Sequence, residues 1–257
     1  MSQSKKNPFN ELVFGGIGGA FGTVCCYGPD TIKTRIQAIP NYSLLGDFRS
    51  SSFFKDLYRG IASPLISVAM EKSALFYVNE ALKENTNMNS FQRGLLSGIA
   101  TTIIVTPPER VKVRAQTSRC STSNAFLNII KKDGILSLYR GWSTTLFREV
   151  PGYGIYITVY EKLNNFYPGY NPLKSIGVGT AAGVTAWAIM YPSDPVKTIM
   201  QNENIGVKSA INNIYRTHGL MGFYKGYTWA LMRAGILHSG VIFAYDTSKH
   251  LFGSKLN

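Results

Sequence analysis

The sequence predicts an all-α membrane protein in which six transmembrane helices form three tandem repeats, with a short surface helix inside each repeat. A motif of proline, acid, base and glutamine occurs three times, roughly 80 to 85 residues apart, and such a fixed period indicates repeat architecture. Charged residues make up 16% of the 257 residues, against about 25% in soluble domains. The long apolar stretches also contain glycines spaced four apart, a packing motif of membrane helices.

The repeated motif closes the first apolar stretch of each repeat. It is most regular in Thr106–Gln116, and Gly28–Gln37 and Pro192–Gln201 carry the other copies. In the first copy Gly28 stands where the others have proline, with Pro29 shifted by one residue, so we expect a different kink there. The motif residues are the acids Asp30, Glu109 and Asp194, the bases Lys33, Lys112 and Lys197, and the glutamines Gln37, Gln116 and Gln201.

The first repeat, residues 1–87, begins with an apolar stretch from Phe9 to about Gln37. Its glycines would each cost a soluble helix about 1 kcal/mol relative to alanine, but they allow close backbone contact in a membrane. Polar residues Asn41–Asp56 leave room for at most a short surface helix. A second apolar stretch, about Ser63 to Lys83, contains the adjacent charges Glu71 and Lys72 at mid-depth.

The second and third repeats, residues 88–170 and 171–257, follow the same plan. Their predicted membrane helices occupy about Phe91–Gln116, Thr144–Leu163, the stretch from Pro172, and Tyr227–Leu251. Apolar residues at helical spacing predict the surface helices Asn124–Lys132 and Val207–Thr217.

Two other architectures fit less well. A glycine-rich phosphate-binding loop needs a preceding strand and a Gly-Lys-Ser/Thr ending, and neither follows Gly15–Gly22. A soluble helical solenoid usually repeats every 30 to 50 residues and does not carry Gly-xxx-Gly in every repeat.

Composition also limits the function. A net charge of +13 suits either a nucleic acid or an anionic membrane surface, and the bases lie in short segments between apolar runs, which favours the membrane. We therefore expect no nucleic-acid partner. The three cysteines lack metal-ligand spacing, and the short polar N-terminus is not a secretory signal. Three scattered histidines and no nucleophile–base set predict neither an enzyme, nor a metal site, nor a cofactor.

These motifs together resemble the mitochondrial carrier family over nearly the whole chain. Each repeat has the proline–acid–base–glutamine motif, an aromatic–base–Gly triplet, and an acid near the end of its second membrane helix. The resemblance implies a six-helix barrel with threefold pseudosymmetry, whose surface helices lie on the matrix side. It also implies a monomer in the inner mitochondrial membrane that exposes a small-molecule solute alternately to either side.

The resemblance assigns a gate to each side of the membrane. On the matrix side, Asp30, Glu109 and Asp194 would pair with Lys112, Lys197 and Lys33 of neighbouring repeats, braced by the three glutamines. The cytosolic gate would consist of Glu80, Lys83, Tyr160, Glu161, Tyr245, Asp246 and Lys249. Asn79 replaces an aromatic residue and Asn164 a base in this second set. We therefore expect a weaker cytosolic gate and a preference for the state open to the cytosol.

The aromatic–base–Gly triplets resemble the cardiolipin sites of the family. Backbone donors near a helix N-terminus face a lipid phosphate there. The residues concerned are Arg59, Gly60, Arg140, Gly141, Lys225 and Gly226.

Ionisable residues at mid-depth predict the solute contacts, since such residues are costly in a membrane. Glu71, Arg148, Glu149 and Arg233 lie there, and Met70–Phe76 and Arg148–Tyr153 resemble ornithine and basic amino-acid carriers. An arginine fork suits an α-carboxylate, and carboxylates suit an ammonium group. We expect a basic or zwitterionic amino acid, or a relative such as an acylcarnitine.

Several alternatives remain open from the sequence. Tyr139–Pro151 and the short first loop also resemble S-adenosylmethionine carriers, although Thr23–Tyr27 lacks the acid those carriers have. Nucleotides fit less well, because Glu71 and Glu149 would repel phosphates. Arg148 and Glu149 could serve only to hold helices together. An ion-leak, uncoupling or non-transporting homologue is the alternative of another class.

Overall fold

The structure is a computed structural model that describes residues 8–38, 57–58, 61–117, 122–139, 142–196, 206–224 and 226–253. Within these ranges, the side chains of residues 8, 32–38, 63, 109, 112–117, 122 and 144 are outside the description. The described backbone is all-helical. In chain order its helices are α1 (Pro8–Ala38), α2 (Ala62–Asn85), α3 (Ser90–Thr117), α4 (Thr122–Asp133), α5 (Trp142–Phe166), α6 (Pro172–Met190), α7 (Val207–His218) and α8 (Tyr227–Phe252).

The six long helices and the two short ones match the predicted plan. Helices α4 and α7 are the surface helices of the second and third repeats, and each is followed by a 3-10 turn, Ile135–Tyr139 and Leu220–Tyr224. The predicted short helix within Asn41–Asp56 lies outside the described residues. Asn171 caps α6, because its side-chain oxygen accepts hydrogen bonds from the first free backbone N–H groups of that helix.

The six long helices close into a ring. Each contacts its neighbours in chain order, α1 with α2, α2 with α3, α3 with α5, α5 with α6 and α6 with α8, and α8 returns to α1. We call the end where α1 begins and α8 finishes the terminal end, and the opposite end, which carries Asp30 and Asp194, the signature end. The ring confirms the predicted fold class.

Glycines bring neighbouring helices of this ring into backbone contact. A Cβ atom on Gly15 or Gly19 of α1 would lie 2.6 Å from a backbone oxygen of α2, and one on Gly18 or Gly22 would lie 2.7 or 2.6 Å from a backbone oxygen of α8. The two overlapping Gly-xxx-Gly motifs of α1 therefore face its two neighbours, as expected for close membrane-helix packing.

Hydropathy alone detects fewer spans than the ring contains. Only Phe9–Thr31 and Pro172–Met190, among the described residues, are apolar enough by composition to cross a membrane. The helices α2 and α5 carry charged side chains that are buried or half-buried inside the ring, such as Lys72 and Arg148. Their mean hydropathy is lowered by a polar interior, whereas residues such as Ile66, Phe147 and Met232 are exposed on the outside.

Replacing Gly179 by alanine tests the close packing of α6 against α8. The new Cβ would lie 2.4 Å from the backbone oxygen of His238, so the helices must separate. We expect Gly179→Ala to destabilise the purified protein by about 1 to 3 kcal/mol, seen as a lower melting temperature in detergent. Gly177→Ala on the same helix is the matched control, because its Cβ would meet nothing within 4 Å. Equal melting temperatures for the two variants would contradict the packing.

Candidate functional site

Three aromatic rings close the interior of the barrel at the terminal end. Phe76 of α2 stacks on Tyr245 of α8 with ring centroids 4.2 Å apart, and Tyr160 of α5 meets both edge-on at 6.2 and 6.4 Å. All three side chains are buried. Because α2, α5 and α8 are alternate members of the ring, their meeting blocks the axis. We call this set the aromatic plug.

Polar contacts surround the aromatic plug. The Tyr245 hydroxyl and the Lys249 ammonium both donate to the buried carboxylate of Glu11, on the first turn of α1. The hydroxyls of Tyr160 and Ser175 donate to Asp246 over 3.1 and 2.6 Å. These contacts tie α8 to α1, α5 and α6.

The aromatic plug and its polar contacts close the barrel at this end. That this gate is weaker than the matrix gate, and that the state open to the cytosol is preferred, both stay predictions. Lys249 pairs with Glu11 of α1, and Glu161 pairs with Arg93 of α3. Within α2, Glu80 and Lys83 lie 4.0 Å apart. Our expectation named Tyr160 and Tyr245 but counted charged partners on α2, α5 and α8 alone, so it did not include Phe76, Glu11 or Arg93.

A buried lysine lies on the next turn of α2, one step further into the barrel. Lys72 is 2% exposed, and its Nζ atom lies 2.7 Å from Oε1 of Glu71. The Tyr153 hydroxyl donates to the same carboxylate oxygen over 2.6 Å. The Lys72 ammonium also lies 5.1 Å from the ring centroid of Tyr153 and 5.6 Å from that of Tyr156, within cation–π range. We call these four residues the lysine cluster.

Two arginine–carboxylate pairs lie nearer the signature end. Arg148 of α5 donates from Nη1 to Asp194 Oδ1 over 2.7 Å, contacts Glu149 as well, and lies 5.2 Å from the ring of Trp187. Arg233 of α8 donates from Nε to Asp30 Oδ2 over 2.7 Å. Two residues predicted as solute contacts are therefore bonded to two acids predicted as gate residues.

The described side chains thus bring all four predicted solute contacts together with two of the three gate acids. The other predicted residues of the signature end are outside the description, either wholly or in their side chains. These are Lys33, Gln37, Glu109, Lys112, Gln116, Lys197 and Gln201. Of the predicted lipid-binding residues, Arg59, Gly60, Arg140, Gly141 and Lys225 are also outside it. Gly226 is described, precedes α8 and has a φ of 85°.

Sequence reasoning missed several residues of this interior. Lys72 was noted only as the charge next to Glu71 and was not predicted as a site residue, and Tyr153 lies one helical turn after Glu149, so the roles of both could have been found from their spacing. Glu11 and Arg93 gave no such signal, because each occurs near the start of a helix where charges are ordinarily solvated.

The described interior contains charges of both signs. Among its described residues, four carboxylates (Asp30, Glu71, Glu149 and Asp194) face three cations (Lys72, Arg148 and Arg233). The described residues contain no group of His, Cys, Asp and Glu side chains suited to a metal ion. The arrangement of charges can bind a charged organic molecule through ion pairs.

A closed ring of six helices, apolar outside and charged within, defines a membrane transport protein. The model of the family "Mitochondrial carrier protein" matches residues 4–90, 84–171 and 168–256. The chain belongs to the mitochondrial carrier family. It is a multi-pass protein of the inner mitochondrial membrane that transports a solute and is not an enzyme.

Curated relatives align over most of the chain. A mitochondrial arginine transporter of Arabidopsis thaliana is 27% identical, covering 93% of this chain and 90% of its own length. A mitochondrial ornithine transporter of Saccharomyces cerevisiae is 27% identical, covering 96% of this chain and 99% of its own length. A mitochondrial carnitine/acylcarnitine carrier of Mus musculus is 30% identical over 89% of each chain. The three solutes named for these relatives contain both an ammonium or guanidinium group and a carboxylate.

Neutralising Glu11 tests the closure of the terminal end. In Glu11→Gln, Lys249 loses its anionic partner beside a buried hydroxyl, and breaking such a pair costs about 3 to 5 kcal/mol when it is fully buried. Lys249 is about one-third exposed, so we expect roughly half that loss, measured as a lower melting temperature. Glu84→Gln, on the exposed end of α2, is the control. A variant as stable as Glu84→Gln would contradict this role of Glu11.

Proposed function

We propose that this carrier transports a basic or zwitterionic amino acid, or a carnitine-like molecule, by exchange through alternating access. The observation that carries the proposal is the set of complementary charges in one interior, the carboxylates of Glu71 and Glu149 beside the guanidinium groups of Arg148 and Arg233. An α-carboxylate suits the arginines, and an ammonium or guanidinium group suits the carboxylates. Relatives named for arginine, ornithine and carnitine support this class.

Exchange of partners gives the transport step its physical basis. Asp194 holds Arg148 and Asp30 holds Arg233, so a solute carboxylate must replace one of these acids to reach an arginine. That replacement removes a bond between helices, α5 with the segment after α6 or α8 with α1. Part of the binding free energy of the solute is then used to break this contact at the signature end. A solute shifts the equilibrium between two states of the carrier only by the difference between its binding free energies to the two states.

We further propose that the carrier works as a monomer and binds cardiolipin. Gly226, with its left-handed backbone, ends the third aromatic–base–Gly triplet and leads into the N-terminus of α8. Free backbone N–H groups at a helix N-terminus favour phosphate.

Uptake into liposomes tests the proposed function. The reconstituted protein should take up labelled arginine, lysine, ornithine or carnitine when the same compound is inside. Glu71→Gln and Glu149→Gln should each lower uptake of the transported compound at least about tenfold, since a charge-assisted bond contributes about 1.5 to 3 kcal/mol. Glu84→Gln should transport as the unmodified protein does. Uptake of nucleotides or S-adenosylmethionine, and of none of the four compounds, would contradict the proposal.

A further inference from the structure

The lysine cluster has the composition of a binding site for an organic cation. A carboxylate oxygen of Glu71 accepts hydrogen bonds from the Lys72 ammonium at 2.7 Å and from the Tyr153 hydroxyl at 2.6 Å. The rings of Tyr153 and Tyr156 flank the same ammonium. An acid combined with two aromatic faces is the general arrangement by which proteins bind ammonium and guanidinium ligands.

The lysine cluster lies inside the barrel, next to the aromatic plug and on the side of the plug that faces the signature end. Lys72 lies one turn from Phe76 of the aromatic plug, and Tyr156 lies one turn from Tyr160. Tyr153 lies on the turn that follows Glu149, on the side of the signature end. A solute entering from the signature end would therefore meet Arg148 and Glu149 first and reach Glu71 next.

We propose that Lys72 is a built-in competitor, whose ammonium occupies the cation subsite of Glu71, Tyr153 and Tyr156 until a cationic solute displaces it. This inference rests in part on the proposed function, which supplies the cationic solute. The Glu71 carboxylate keeps one cationic partner in either state, and an unpaired charge at this depth would be costly. Lys72 thus neutralises the Glu71 carboxylate when no solute is bound. A cationic solute must bind this subsite more strongly than the Lys72 ammonium does in order to displace it.

The flexibility of a lysine side chain suits this role. Its four-carbon stem carries a compact point charge that can move by rotation about several bonds, whereas an arginine fork would hold Glu71 in a fixed two-bond geometry. Glu149, which pairs with Arg148, lies within electrostatic range of the Tyr153 hydroxyl and is a second carboxylate toward which the displaced ammonium can turn.

Chemical rescue tests the subsite without knowledge of the transported solute. Lys72→Ala should melt at a lower temperature than the unmodified carrier, and n-butylammonium at tens of millimolar should raise its melting temperature by several degrees. The cation should shift neither the unmodified carrier nor the double variant Glu71→Gln/Lys72→Ala. Butanol, which has the same shape without the charge, should not stabilise Lys72→Ala. The control is Lys131→Ala, on the exposed face of α4.

Modification of lysine amines in the unmodified carrier tests the displacement itself and needs no variant to fold. Lys72 is buried, so its reductive methylation should be slow, and saturating arginine should speed it at least about threefold, measured by peptide mass spectrometry.

Equal rescue of Lys72→Ala and the double variant by n-butylammonium, or no rescue of either, would overturn the subsite. Methylation of Lys72 that arginine leaves unchanged or slows would overturn the displacement if arginine is transported. If none of the four proposed solutes is transported, the proposed function fails, and the rescue still decides the subsite.

Discussion

The structure depends on one constraint, that a charged side chain inside a membrane barrel must have a partner at all times. Removing a charge from water costs several kcal/mol, and only a close opposite charge with further hydrogen bonds offsets this. The described interior obeys the constraint with ion pairs between helices: Glu11 with Lys249, Glu161 with Arg93, Arg148 with Asp194 and Arg233 with Asp30. These ion pairs offset the cost of removing the charges from water, and they also link neighbouring helices of the ring.

This constraint connects stability with transport. A solute that carries both signs of charge can enter only by taking over partners that the protein already uses. In the function proposed above, the carboxylate of such a solute competes with Asp194 or Asp30, and its cation competes with Lys72. Each exchange at an arginine removes a contact between helices at the signature end. Exchange of partners therefore allows the solute to bind through ion pairs while the carrier still changes conformation, because the arginines and Glu71 keep an opposite charge beside them during the exchange.

Much of the fold could be predicted from the sequence, because its signals are local and occur three times. The repeated motif predicted the number of helices, and the Gly-xxx-Gly pairs predicted close contacts between helices. Which helix each pair faces, such as α8 for Gly18 and Gly22, comes only from the structure. Pro29, Pro107 and Pro108 lie within continuous helices, however, whereas Pro192 lies in a turn after α6. A proline restricts its own backbone angle, but the packing of neighbouring helices decides whether the helix continues.

The candidate site could be predicted as a set of residues but not as a set of partners. Mid-depth charges such as Glu71 and Arg148 stand out in any apolar stretch. Their bonding depends on the rotation and height of each helix in the ring, which a single repeat does not encode. Glu11 illustrates the limit, since an acid on a first helical turn is ordinarily solvated, and only the return of α8 to α1 buries it.

The coupling energy between Arg148 and Asp194 tests the central claim most directly. It is obtained from the melting of the unmodified carrier, Arg148→Met, Asp194→Asn and the double variant, each with and without the transported solute. Exchange of partners predicts a coupling of about 1 kcal/mol or more in the empty carrier, within the range for contacting residues, that falls toward zero when solute saturates the site. A coupling near zero in the empty carrier, or couplings that solute leaves unchanged both here and in the matching cycle of Arg233 and Asp30, would contradict the account.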